Sequence, residues 1–171
     1  MRANLPNPDY FVGKTLPGRD EVQIIELKDS GNDGHLFRAH SKSLGSDVAC
    51  KIIPRSNLQH APDGSEIWRA EVHKADLLRS NTVVKFIDVR DWKDDTAKID
   101  CVALISEFVE GICLRKFITA YPEEITVSFI RHWLGTMLNL FNEMKVRGVP
   151  HGEAAGRAQF FGASASTKGC V

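Results

Sequence analysis

Val48-Ala49-Cys50-Lys51 constrains this chain more than any other stretch: a buried-looking strand segment that ends by presenting one lysine. A cation on an apolar strand is costly unless a carboxylate or a phosphate meets its charge. Ahead of it lies a glycine-bearing polar turn, Asp29-Ser30-Gly31-Asn32-Asp33-Gly34, and behind it a helical stretch with one well-placed acid, Glu71. A turn between antiparallel strands can lay backbone N–H groups over a polyphosphate where no side chains intervene, and Gly31 and Gly34 supply that clearance. Taken singly, each feature is ordinary: a turn glycine pair, a surface lysine, a surface glutamate. In this order they form the upper half of a nucleotide clamp. A dinucleotide-binding fold does not fit, because its glycine loop leads from a strand into a helix, whereas this one leads into another strand.

The 171 residues suffice for one domain with a sizeable core. The 22 basic and 22 acidic residues cancel, so bulk charge favours neither nucleic acid nor an anionic membrane as a partner. No apolar run approaches the roughly 20 residues needed to span a bilayer, and Met1 to Pro6 lacks the apolar core of a signal peptide. Cys50, Cys101, Cys113 and Cys170 show no close pairing pattern. Free thiols in a reducing compartment, and hence a cytoplasmic location, are the expectation. The six histidines have no zinc-like spacing, and no metal site is expected from them.

Residues 1–20, with Pro6, Pro8, Pro17, Gly13 and Gly18, read as an irregular leader. Val22 to Leu27 begins a β-rich segment, Leu36 to Ala39 resumes it after the turn, and Val48 to Ile53 forms a third strand that Pro54 ends: an antiparallel meander. Asp63 followed by Glu66 fits a capping box and opens a helix to about Leu78. Two more strands, Val83 to Trp92 and Ile99 to Phe108, are joined by the charged turn at Lys93-Asp94-Asp95. Leu114 to Ala120 suggests a short helix. Ile130, Trp133, Leu134, Met137, Leu138, Phe141 and Met144 recur at spacings of three and four. They define a long helix over 127–146, capped by Thr126 or Ser128 and ended near Gly148, with its stripe expected to pack as core against later helices and, where these are missing, to be in part exposed or covered only by the 154–171 tail. Ala154 to Val171 lacks either periodicity and reads as a poorly ordered tail.

These residues resemble the N-terminal lobe of a eukaryotic-type protein kinase domain and the first helices of its C-terminal lobe, over about Tyr10 to Glu153. Gly31 and Gly34 stand at the second and third positions of the family's glycine-rich loop, with Asp29 at the first. Leu36-Phe37-Arg38-Ala39 resembles the strand after that loop, and Val48-Ala49-Cys50-Lys51 resembles the Val-Ala-Ile-Lys strand. Glu71 falls at the helix-C glutamate, and Thr82 to Val89 resembles the strand that follows. Leu104 to Val109 resembles the last N-lobe strand and the hinge, with Ser106 as a small gatekeeper. The implied fold is α+β: a five-stranded antiparallel N-lobe sheet with one helix, then an incomplete helical C-lobe. The implied organisation is a leader at 1–20, an N-lobe at 21–110, a partial C-lobe at 111–153 and a tail at 154–171.

The resemblance implies ATP and Mg²⁺ as cofactors, and a protein substrate or protein partner. It implies that Gly31, Gly34, Leu36, Ala49, Lys51, and the backbone of Glu107 and Val109 hold the nucleotide, and that Glu71 orients Lys51. A complete domain of this type, a serine/threonine kinase, transfers the γ-phosphate to a protein hydroxyl. The catalytic loop should read His-Arg-Asp or His-Gly-Asp, with asparagine five residues after the aspartate. This chain has His151-Gly152-Glu153 and then Ala158. Glu153 is one methylene longer than the catalytic aspartate, and Ala158 has no atom to ligate a metal. No Asp-Phe-Gly follows; Phe160-Phe161-Gly162 carries Gln159 in place of the acid, and the activation segment is absent. The expectation is a kinase-like phosphotransferase domain that is inactive as this chain stands. Two alternatives remain open: a non-catalytic kinase-like interaction module, or a small-molecule kinase of the aminoglycoside or choline type.

Overall fold

The computed structural model describes residues 6–31, 34–58, 83–95, 97–112 and 114–148. The chain divides into two compact units, one holding a β-sheet and the other holding both described α-helices. The helix expected from Asp63 to Leu78 and the tail after Glu153 lie outside the described residues.

Five strands build the sheet: β1 (Val22–Gly31), β2 (Gly34–Ser41), β3 (Ser46–Pro54), β4 (Phe86–Asp94) and β5 (Ile99–Glu107). Every pairing is antiparallel, and the spatial order is β1-β2-β3-β5-β4. Turn chemistry closes the hairpins. Gly45 takes a left-handed φ of +62° between β2 and β3. Between β4 and β5, Asp94 Oδ1 accepts the Ala97 N–H at 3.0 Å and Lys98 adopts φ +54°. β1 carries two irregularities in its pairing with β2, between Ile24 and Glu26 and between Leu27 and Asp29.

Burial alternates along most of the central strands. His35, Phe37 and Ala39 on β2, Val48, Cys50 and Ile52 on β3, and Cys101, Ala103 and Ile105 on β5 are all buried. They share one face, and all but His35 pack into a single apolar cluster with Val22, Ile24, Trp92 and Ile99. What seals that cluster is the N-terminal segment. A short 3₁₀ turn, Pro8–Tyr10, is started by Asn7, whose side-chain oxygen accepts the Asp9 N–H. It delivers Phe11, fully buried, edge-on to Phe37 at 5.8 Å and to Trp92 at 5.2 Å between ring centroids. Leu16 is buried beside it, and Thr15 forms a bridge to Gln23.

Polar links fasten this segment to the far edge of the sheet. The Tyr10 hydroxyl donates to Asp94 Oδ2 at 2.5 Å. Arg90 on β4, nearly buried, donates to Asp88 Oδ2 at 2.8 Å and to the Asp20 carbonyl at 2.6 Å. A buried guanidinium is tolerable only with its donors occupied, so the 17–20 loop serves as the cover and the counterweight of Arg90.

In the second unit, α1 (Leu114–Ala120) and α2 (Val127–Val146) follow the sequence pattern. Thr126 caps α2 by accepting the Phe129 N–H at 3.1 Å, and Gly148 at φ +62° follows its end. Phe117 of α1 stacks on Phe129 of α2 at 5.5 Å. The stripe is in part exposed, as expected of it, with Trp133, Met137 and Met144 half-buried. Ile130, Leu134, Leu138 and Phe141 are exposed, and the one buried residue of α2 is Leu140, on the flank of the stripe. Helical periodicity identifies an apolar stripe; it does not identify which edge of the stripe is covered.

Phe11 lies outside every strand yet sits at the centre of the core. Phe11→Ala should lower unfolding free energy by roughly 3–5 kcal/mol in urea denaturation, whereas truncating exposed Val12 should change it by less than about 0.5 kcal/mol.

Candidate functional site

The face of the sheet opposite the apolar cluster carries the residues singled out by sequence. Lys51 pairs laterally with Leu36 on β2 and Leu104 on β5; Ala49 pairs with Arg38 and Ser106. Side chains at these paired and two-apart positions point to one side. All six are half-buried rather than sealed. Further along the same face, Ile53 and its partner Val102 are buried and stand outside the main cluster. The face is therefore closed at its Ile53–Val102 end and half-open from Lys51 to Ser106. Small or flat apolar groups beside one lysine make a surface that can take a planar ring and an anionic tail.

Gly34 opens β2 at φ +152°, and a Cβ there would lie 2.3 Å from the Ile52 carbonyl oxygen and 3.3 Å from Ile53 Cγ1. The backbone must pass so close to β3 that only glycine fits. Gly31, its cross-strand partner, has open space around it. The two glycines thus differ: one is required by the fold, and the other keeps a side chain off the turn.

At the outer end of the face, Arg38 donates from Nε to Asp47 Oδ2 at 2.6 Å and lies 5.5 Å from the centre of the Phe108 ring. Its ion pair with Glu26 spans 3.4 Å, and Lys28 meets the same Glu26 oxygen at 2.6 Å. Hydrogen bonds from His40 and Arg38 hold the Asp47 carboxyl below its ordinary range, and Lys28 chiefly does the same for Glu26. These contacts fix the guanidinium among Asp47, Glu26 and the Phe108 ring.

Glu107 is already committed in part. Its N–H donates to the Lys85 carbonyl at 2.9 Å, and its Oε1 accepts the Lys85 N–H at 3.0 Å. The backbone group it can still turn to a ligand is its carbonyl. Val109 is half-buried and belongs to the second unit. Glu71, Glu153 and Ala158 lie outside the described residues, so the Lys51–Glu71 pairing does too. Among the described residues no group of three or more His, Cys, Asp or Glu side chains gathers in metal-binding geometry.

Sequence reasoning passed over His35. It is 7% exposed, with Nδ1 2.9 Å from Ser30 Oγ and Nε2 3.1 Å from the Pro6 carbonyl. The signal was present: Ser30 and His35 are placed symmetrically about Gly31 and Gly34, so a hairpin sets them directly opposite each other.

The two described thiols are buried and inert. Burial pushes Cys50 from an ordinary 9.0 up to about 12, and Cys101 up to about 11. Below pH 9 both folded and unfolded chains keep these protons. Above it the unfolded chain loses protons that the folded chain retains, so stability falls as pH rises from about 9 toward 11–12. Each thiol contributes a slope of at most about 1.4 kcal/mol per pH unit. Urea unfolding at pH 8, 9 and 10 should show that fall, and Cys50→Ala should flatten it.

The glycine contrast is testable in the same way. Gly34→Ala combines backbone strain with a clash against β3 and should cost roughly 2–4 kcal/mol of unfolding free energy. Gly31→Ala should cost less than about 1 kcal/mol. Chemical denaturation of both variants distinguishes the two roles.

No protein-family model matches the chain. A search of characterised proteins finds similarity to the serine/threonine-protein kinase PrkC of Bacillus subtilis (strain 168), 28% identical over 120 residues. The matched part covers 67% of this chain and 17% of PrkC, so the chain spans only a small part of that relative. Among solved structures, PpkA-294 in its apo form superposes with a TM-score of 0.54 at 18% identity, covering 75% of this chain and 47% of that one. The sequence relationship and the antiparallel five-stranded sheet with its two following helices agree: the chain carries part of a protein-kinase-like domain, an N-lobe and the start of a C-lobe, related to serine/threonine kinases.

Proposed function

We propose that this chain binds a nucleoside triphosphate, ATP, on the Lys51 face of its sheet and does not complete phosphoryl transfer by itself. The observation that carries this reading is the placement of Leu36, Ala49, Lys51, Leu104 and Ser106 on one half-open face beside the Gly34 turn, while the opposite face is sealed. Leu36 and Ala49 roof the base. The Lys51 ammonium meets the α- and β-phosphates, and backbone N–H groups of the turn at Gly31 and Gly34 close over them. The Glu107 carbonyl and the Val109 N–H read the edge of the adenine, and Glu71 steadies Lys51.

Mg²⁺ is a different matter. The residues present fit the base and the phosphates, but Ala158 offers no oxygen, and Glu153 stands where an aspartate is needed. Transfer in this chemistry rests on metal charge and exact placement, so losing a metal ligand harms transfer far more than it harms contact with the base. In a domain with the full complement of residues, the acceptor is a protein serine or threonine hydroxyl; in this chain the same fold serves as a nucleotide-binding module open to a protein partner. Among the described residues no helix is long and apolar enough to cross a membrane; a cytoplasmic site of action is part of the proposal.

Calorimetric titration of ATP with and without Mg²⁺, alongside a phosphate-transfer assay, tests this. The expected result is weak binding, reduced roughly 10- to 100-fold by Lys51→Met through loss of a charge-assisted contact, and no transfer above the Lys51→Met control. Robust transfer abolished by Glu153→Ala would overturn the non-transferring reading. No binding, or binding indifferent to Lys51→Met, would overturn the site.

A further inference from the structure

We propose that His35 is the positioning residue of the glycine-bearing turn: it locks the mouth of the turn through Ser30 and ties it to the N-terminal segment through the Pro6 carbonyl. The proposal rests on the reading of that turn as the phosphate cradle.

The turn needs such a lock. Between Val22 and Asp29 the β1–β2 ladder is interrupted twice, with one extra β1 residue at each irregularity. A one-residue slip in an antiparallel pair exchanges the two faces of a strand, and a ladder broken twice does not by itself fix the register beyond the second break. Only three pairs follow that break: Asp29 with Leu36, Ser30 with His35, and Gly31 with Gly34. Of these, the Ser30–His35 pair alone is joined by a side-chain hydrogen bond in the structure, Nδ1 to Oγ at 2.9 Å. Asp29 Oδ1 accepts the Ser30 N–H at 2.9 Å and fixes the backbone at the same residue.

The second ring nitrogen reaches a different segment. Nε2 lies 3.1 Å from the Pro6 carbonyl, 29 residues away in sequence. A carbonyl only accepts, so Nε2 carries the hydrogen, and in that tautomer Nδ1 accepts from the Ser30 hydroxyl. Both nitrogens are then satisfied, which is what allows the ring to be 7% exposed. Phe11 and Phe37, 5.8 Å from each other, both lie against the ring, at 6.4 and 6.1 Å between centroids. One imidazole thus joins the end of β1, the start of β2 and the N-terminal segment.

His35 shares the sealed face with Phe37, so it does not touch a nucleotide on the Lys51 face. It acts through the backbone. Gly31 and Gly34 lie immediately inside the Ser30–His35 pair, and N–H groups bind phosphate well only when their directions are set beforehand.

Three substitutions in the full chain separate the links. His35→Phe keeps an aromatic ring against Phe11 and Phe37 and removes both hydrogen bonds. His35→Asn places an amide near the Nδ1 position and can keep Ser30; His35→Gln reaches the Nε2 position and can keep Pro6. Amide hydrogen exchange, thermal unfolding and ATP titration are read on each. For His35→Phe we expect exchange at Gly31 and Gly34 to rise at least ten-fold, exchange at Cys50 and Ala103 to change less than two-fold, and ATP affinity to fall at least five-fold. His35→Asn should restore slow exchange at the glycines while residues 9–11 exchange faster; His35→Gln should do the reverse. Ser30→Ala, which leaves the core untouched, should match His35→Gln at the turn and keeps the proposal testable if His35→Phe does not fold. Unchanged glycine exchange in His35→Phe and Ser30→Ala, or a rise shared equally by the core strands, would overturn the proposal. So would an opened turn with undiminished ATP affinity. If the unsubstituted chain binds no ATP, the nucleotide reading fails, while the exchange pattern still decides whether His35 sets the turn.

Discussion

The period-two alternation of β3 is the constraint on which the rest of this structure depends. β3 is paired on both sides, so its backbone polar groups are satisfied within the sheet, and each side chain must belong to one of two faces. Val48, Cys50 and Ile52 go to the sealed face, which leaves Ala49 and Lys51 on the other. Moving β3 by one residue would bury the Lys51 ammonium in the apolar cluster and expose Cys50, a change far too costly to be populated. The face of the sheet from which the lysine projects is thus set by the burial of its neighbours. Leu36 and Leu104 follow because they are its lateral partners.

Sealing one face takes more than the strands. Phe11 fills the centre of the cluster from outside the sheet, Tyr10 and Asp94 fasten its segment to the β4–β5 hairpin, and Arg90 holds the 17–20 loop across β4. Gly18 allows that crossing: a Cβ there would sit 3.1–3.2 Å from the Arg90 side chain, at a φ of +133°. The N-terminal segment is thereby part of the first unit's core, and the half-open face owes its contrast with the sealed one to it.

Much of this was legible in the sequence, and for local reasons. All five strands were expected, because turn residues punctuate them and alternation fills them. The long helix was recovered from Val127 to Val146 with Thr126 as its cap, since capping is a contact between near neighbours. Leu36 beside Lys51 also followed, once a meander was inferred; Leu104 did not, because β5 reaches β3 by a crossover that a meander does not contain. Phe11 did not, because its partners Phe37 and Trp92 lie 26 and 81 residues away, and the prolines and glycines around it resemble those of any irregular segment. His35 escaped because a histidine was weighed only as a metal ligand, whereas its role comes from a cross-strand pairing. On α2, periodicity gave the stripe and its partial exposure but not its covered edge, so Leu140 was overlooked.

The irregularities of β1 have a consequence for the molecule among its neighbours. An outermost strand offers a row of unpaired N–H and C=O groups to any other extended chain, and a long flat one invites sheets to grow from molecule to molecule. Here the first part of that row is already engaged. The Gly13 N–H donates to the Ile24 carbonyl, and the Ile24 N–H to the Lys14 carbonyl. Past Ile24 the two extra residues bend the strand, which spoils the even spacing that a visiting strand would need, although Ile25 and Leu27 there are exposed and apolar. A chain that carries greasy side chains on its rim is in this way kept from zipping to its own copies along that rim.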